Sequence, residues 1–201
     1  MVHRRAALKI FAYVQSTHVI GLLYRRNAPV HLVGVTDASF ACDPDERRSQ
    51  GGYLYLLGGT AVSWKSYRIS TVARSTPEAE YVAASDCAAK GIFLRNFLGE
   101  LGFPQMGPTS IFTDSTSVQG MVISPAARCR TKHIEIHYHY VRDHVARNRF
   151  VLRRVDTSEN AADDLTKPLP RAAHTKCVAL MGLSVRDSTA FDRSAIIAGL
   201  E

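Results

Sequence analysis

The 201-residue chain carries 25 lysines and arginines against 18 acids, and with 46% hydrophobic residues it has enough apolar content for one domain with terminal extensions. Its basic excess favours a polyanionic partner such as nucleic acid, and Cys42, Cys87, Cys129 and Cys177 stand too far apart for a zinc knuckle or a disulfide framework. No apolar run is long enough to span a bilayer and MVHRRAALKI lacks a signal-peptide pattern, so the expectation is a reducing compartment, cytoplasmic or nuclear, with no membrane partner and no targeting signal.

From His3 to Gln15 the apolar positions Ala7, Ile10, Phe11 and Val14 predict an amphipathic helix. A short extended piece follows at Leu22 to Tyr24. The turn RRNAP, ending at Pro29, marks the place where a domain begins. LVGVTDAS, from Leu32 to Ser39, alternates so that Val33, Val35 and Asp37 share one face of a strand that ends in an acid. After a charged loop, runs beginning at Gly52 and Thr60 predict a hairpin turning at Gly58 and Gly59.

The stretch from Ser75 to Leu101 predicts one long helix. Ser75 or Thr76 can cap it, Pro77 suits its first turn, and Ser75 with Glu78 has capping-box spacing. Stepping 100° per residue from Glu80, its own face holds Ala83, Ala84, Cys87, Gly91, Leu94, Leu98 and Leu101. Glu78, Asn96 and Glu100 fall on the opposite side. A carboxylate on a packed face is costly unless a cation or hydrogen-bond donors meet it. A Glu at the edge of that face, paired with an arginine, is the ordinary alternative.

TSIFTDS from Thr109 predicts a strand ending in Asp114, and its FTDST matches VTDAS closely. A short helix from Ser115 to Val122, a helix from His133, a fifth strand from Phe150 to Val155, a helix over ENAADDLTK stopped by Pro168, and a helical start to the tail at Arg171 complete the order. In the helix from His133, His133 and His137 have the i, i+4 spacing that can bind zinc, but no third ligand is visible and a polar helix flank is the ordinary reading.

Three antiparallel strands followed by strands alternating with helices predict an α/β domain: a mixed five-stranded sheet with helices on both faces. Asp37 and Asp114 then lie side by side if their strands are neighbours, Glu80 can point at the same spot, and Asp163 or Asp164 can join. Helix phase leaves that last choice open. Converging carboxylates repel, and oxygen-rich sites select hard divalent ions such as Mg²⁺ or Mn²⁺.

VTDASFACDPDERRSQGGYLYLLGG, AVSWKS, VARSTPEAEYVA, IFTDSTS, RTKHIEIHYHYVRD and ENAADDLTKPLPR together resemble, in order and spacing, the ribonuclease H domain of Ty1/copia-type retrotransposon Pol polyproteins. The segment before them is similar to the end of the family's reverse transcriptase. The resemblance implies an RNase H-like fold in residues 29–183, a helical remnant of the reverse transcriptase in 1–28 and a tail in 184–201. It implies an endonuclease, a hydrolase that cuts the RNA strand of RNA–DNA hybrids with two Mg²⁺ or Mn²⁺ ions. The family's four acids fall on Asp37, Glu80, Asp114 and, by alignment on TKPL, Asp163. Lys65, Arg74, Arg130, Lys132 and His133 are the candidate nucleic-acid contacts, the reverse transcriptase of the same polyprotein is an expected partner, and a virus-like particle is an expected setting. Ser39-Phe40, Cys42 and Pro77 depart from the family's usual Asp-Trp, Gly and Thr. A catalytically inactive nucleic-acid-binding remnant, and a nuclease or recombinase of the same broad fold acting on duplex DNA, are the alternatives.

Overall fold

A computed structural model describes residues 2–43, 45–123 and 132–185. Helix α1 spans Val2–Thr17 and is followed by the short strand β1, Ile20–Leu22. Strands β2 (Leu32–Ser39), β3 (Gln50–Leu57) and β4 (Thr60–Arg68) precede the 25-residue helix α2, Thr76–Glu100. Then come β5 (Thr109–Thr113), α3 (Thr116–Ile123), α4 (Lys132–Ala146) and β6 (Phe150–Arg154). Two 3₁₀ turns, Thr157–Glu159 and Ala161–Leu165, lead to α5 (Arg171–Leu180) and β7 (Leu183–Val185).

Five strands form a mixed sheet in the order β4-β3-β2-β5-β6, with β2, β3 and β4 antiparallel and β2, β5 and β6 parallel. Alternation along the strands separates two cores. One holds Leu32, Tyr53, Tyr55 and Ile111 against Cys87, Ala88 and Leu98 of α2, Val141 of α4 and Phe150. On the other face Val35 and Leu54 pack on Ala161 and Ala162, with Leu180 and Met181 beside them. The close approach of α2 to the sheet depends on Gly91, where a Cβ would meet the Tyr55 hydroxyl and stand 2.9 Å from the Phe150 ring.

Three sequence expectations change. ENAADDLTK does not form one helix, because Asn160 takes an extended conformation (φ −82°, ψ 96°) and its side chain accepts a hydrogen bond from the Ala162 N–H, restarting the chain as a second turn. Leu101, counted on the packed face of α2, is 55% exposed because the helix ends there, past the rim of the sheet. The extended piece placed at Leu22 to Tyr24 is instead Ile20–Leu22, and it pairs with β7, a strand without a visible sequence signal. Leu23 and Tyr24 hydrogen-bond onward to Gly182, Thr60 and Ala61, so this two-stranded ribbon is tied to the start of β4. No described helix is long and apolar enough to cross a membrane.

Candidate active site

Register sets the first pair of acids. Val35 of β2 stands beside Phe112 of β5 in the parallel pair, and two residues further along each strand come Asp37 and Asp114. Across the other neighbour, Asp37 faces Gly52 of β3, where a Cβ would lie 2.8 Å from Leu165 Cβ and Thr166 Cγ2. This bare position lets the second 3₁₀ turn lie against the sheet opposite Asp37 and deliver Asp163. One carboxylate oxygen from each of Asp37, Asp114 and Asp163 lies within 4.8 Å of the others. Asp164, left open as an alternative by helix phase, turns instead to His174, whose Nδ1 is 2.7 Å from Asp164 Oδ1.

Glu80 approaches from the α2 side. It is 6% exposed, the Ala38 N–H donates to its carboxylate, and its Oε2 is buried without a hydrogen-bond partner. Burial pushes Glu80 up to about 9, with the charges of Asp37 and Asp114 adding to the effect. Burial likewise pushes Asp37 up to about 6, against the lowering effect of its Thr166 hydrogen bond, and Asp163 and Asp114 push it further. An all-oxygen cluster with an orphaned buried carboxylate oxygen and strong mutual repulsion fits hard divalent cations, which would relieve both.

The three aspartates are each held by a neighbour that sequence reasoning did not single out. The Thr166 hydroxyl donates to Asp37 Oδ2. Asp114 accepts from the Thr157 hydroxyl at 2.7 Å and from Asn160 Nδ2 at 3.4 Å, and Asn160 also donates to the Thr36 carbonyl. Lys167 Nζ lies 2.8 Å from Asp163 Oδ1. All four partners come from residues 157–167; Lys167 meets Asp163 within the same turn, while only folding brings Thr157, Asn160 and Thr166 onto strand ends more than 40 positions away. Their polar character in TSENAADDLTK was the sole available signal.

The basic candidates are more scattered. Lys65 is exposed on β4 with its Nζ 4.4 Å above the Tyr67 ring, and Arg74 is exposed just before α2. Lys132 and His133 open α4, and Arg130 lies outside the described residues. Arg154, exposed and paired in register with Thr113, the residue before Asp114, adds a cation near this end of the sheet that the sequence did not mark. An open groove of about 540 Å³, lined in part by Gln50, Ser66, Thr166 and Lys167, runs next to the acid-bearing turn.

The chain is 38% identical over 181 residues, 90% of its length, to the Retrovirus-related Pol polyprotein from transposon TNT 1-94 of Nicotiana tabacum. Homologues matched over more than four fifths of the chain include Ty1/copia-type retrotransposon Pol polyproteins. The chain spans 14% of the length of the tobacco relative. Its fold is that of RNase H: LC11-RNase H1, isolated from compost by a metagenomic approach, matches 68% of this chain and 93% of its own at a TM-score of 0.51 and 18% identity. The foamy viral protease-reverse transcriptase, solved in complex with an RNA/DNA hybrid, matches 77% of this chain and 21% of its own at a TM-score of 0.51 and 17% identity. No family model matches the sequence.

Proposed function

We propose that this retrotransposon Pol segment is an endoribonuclease that hydrolyses the RNA strand of RNA–DNA hybrids. The observation that carries the reading is the convergence of Asp37, Asp114 and Asp163 within 4.8 Å, beside the buried and unpartnered Glu80 oxygen, at one end of an RNase H sheet. These four carboxylates would hold two Mg²⁺ or Mn²⁺ ions. The chemistry supplied by such a bound pair is generation of a water nucleophile near neutral pH and stabilisation of the leaving 3′ oxygen.

The chain's own contribution is placement. Thr166 fixes the rotation of Asp37, and Thr157 with Asn160 fixes Asp114, so the ligand oxygens are aimed before any cation arrives. Glu80 is itself buried, accepts a hydrogen bond from the Ala38 N–H, and is flanked along α2 by Ala79 and Ala83, which share a buried cluster with Ala38. Arg154 at the end of β6, Arg74 before α2, and Lys65 with Arg130, Lys132 and His133 would supply charge for the phosphates, and contacts to the 2′-hydroxyls would distinguish the RNA strand. Residues 29–183 are the catalytic unit in this reading, with 1–28 the end of the reverse transcriptase and 184–201 a tail. The reverse transcriptase remains the natural partner, in a cytoplasmic virus-like particle or the nucleus.

The test is incubation of the protein with an end-labelled RNA–DNA hybrid, duplex DNA or single-stranded RNA in Mg²⁺, Mn²⁺ or EDTA. The expected result is metal-dependent cleavage of the RNA in the hybrid alone, leaving 3′-hydroxyl ends. Hybrid binding without turnover would mark a non-catalytic remnant, and cleavage of duplex DNA a recombinase-like enzyme.

A further inference from the structure

Among the described residues one ammonium sits directly on the acid cluster. Lys167 Nζ is 2.8 Å from Asp163 Oδ1, in an i, i+4 pair whose lysine side chain is 41% exposed while that of Asp163 is 9% exposed. The geometry is built in. The backbone N–H groups of Thr166 and Lys167 both donate to the Asp163 carbonyl, at 3.1 and 3.2 Å, so one tight turn presents the Thr166 hydroxyl to Asp37 and the Lys167 ammonium to Asp163. The carboxylate has nowhere to retreat, whereas the lysine has a flexible four-carbon stem and open water beside it. An ammonium and a hard divalent ion want the same carboxylate oxygen, and their like charges exclude each other at that distance.

We propose that Lys167 is an internal counter-ion that a divalent cation must displace from Asp163, so that this lysine sets how tightly the site holds metal. The inference rests on the reading of the four carboxylates as metal ligands. Without metal, the lysine offsets part of the repulsion among Asp37, Asp114 and Asp163 and keeps the 3₁₀ turn on the sheet. With metal, it swings outward to the rim of the groove. A lysine pairing away from the ligand oxygens would do neither, because its removal would leave both the cation affinity of the cluster and the stability of the turn unchanged.

Mn²⁺ binding to wild type, Lys167→Met and Lys167→Arg, read by the electron paramagnetic resonance signal of free Mn²⁺ at fixed pH and ionic strength, tests this without any turnover. Lys167→Met should bind with a roughly three- to tenfold lower Kd, the size of a half-exposed ion pair, and Lys167→Arg should stay within about twofold of wild type. In EDTA the Met variant should melt below wild type, and Mn²⁺ should raise its melting temperature by the larger increment. Acylation of wild-type Lys167 by an amine reagent, followed by mass spectrometry, provides a readout that needs no variant: labelling should rise on adding Mn²⁺. Equal or weaker Mn²⁺ binding by a folded Lys167→Met variant, or labelling that Mn²⁺ leaves unchanged, overturns the counter-ion role alone. Absence of saturable Mn²⁺ binding by wild type overturns the metal reading and this inference together.

Discussion

Helices α1 and α2 invert what their sequences promise. The sharper amphipathic pattern belongs to α1, yet Leu8, Ile10, Phe11 and Val14 are all more than half exposed, and the helix reaches the rest of the chain through a few contacts such as Tyr13 Oη to His174 Nε2 at 3.3 Å. In α2, a weakly patterned helix rich in alanine, the face around Glu80 is buried from Ala79 to Gly91. Periodicity states which face of a helix needs a partner and is silent on whether that partner is present. Small residues count for more in α2 than large ones. Ala79, Ala83 and Gly91 allow the backbone to approach the sheet closely enough that a glutamate of ordinary length reaches the strand ends.

Replacing the buried carboxylate of α2 should produce the largest effect. Glu80→Gln is expected to lower hybrid cleavage by more than ~100-fold, since loss of a mere partner of a metal ligand already costs roughly 10–100-fold. Glu78→Gln, one turn edge away on the solvent side, should change activity less than about twofold. Single-turnover assays of the two variants decide it, and equal losses would break the contrast between the faces of α2.

A second effect concerns stability against pH in the absence of metal. Glu80 titrates near 9 and Asp37 near 6 in the folded chain, against ordinary values of 4.5 and 3.8. Over the interval between those values the folded chain holds protons that the unfolded chain has lost, so the stability these groups contribute is fully present below about pH 4 and declines as pH rises toward 9. Denaturant melts in EDTA should therefore show a fall of a few kcal/mol from pH 5 to pH 9. Glu80→Gln should flatten it, and saturating Mg²⁺ should offset it most at high pH, where no protons compete for the oxygens. A flat profile in EDTA would mean that Glu80 finds a cation or donor in solution.

Gly91→Ala tests the close approach itself. A methyl group there must displace the Tyr55 hydroxyl and the Phe150 ring, and a loss of about 1–3 kcal/mol by circular-dichroism melting is expected. The smallest effect should come from α1: deletion of residues 2–17 should shift stability by less than ~0.5 kcal/mol. Limited proteolysis should remove this helix before it cuts anywhere in β2 to β6. A large loss of stability on deletion would place α1 inside the domain and erase the contrast with α2.

The sequence by itself determined the five strands of the sheet, the long helix and the placement of Asp37, Asp114 and Glu80. Those signals are local: alternation in LVGVTDAS and TSIFTDS places Asp37 and Asp114 at strand ends, and helical phase separates Glu80 from Glu78. Tertiary structure decided which of Asp163 and Asp164 joins the carboxylate cluster, since that segment is not a helix and phase has no meaning once Asn160 interrupts it; the bare position at Gly52 admits the turn, and His174 takes Asp164 away. It also decided the β1–β7 ribbon and the partners Thr157, Asn160 and Thr166. Hydrogen bonds between residues far apart in the chain leave no period in a sequence, because nothing but the packed sheet sets their distance.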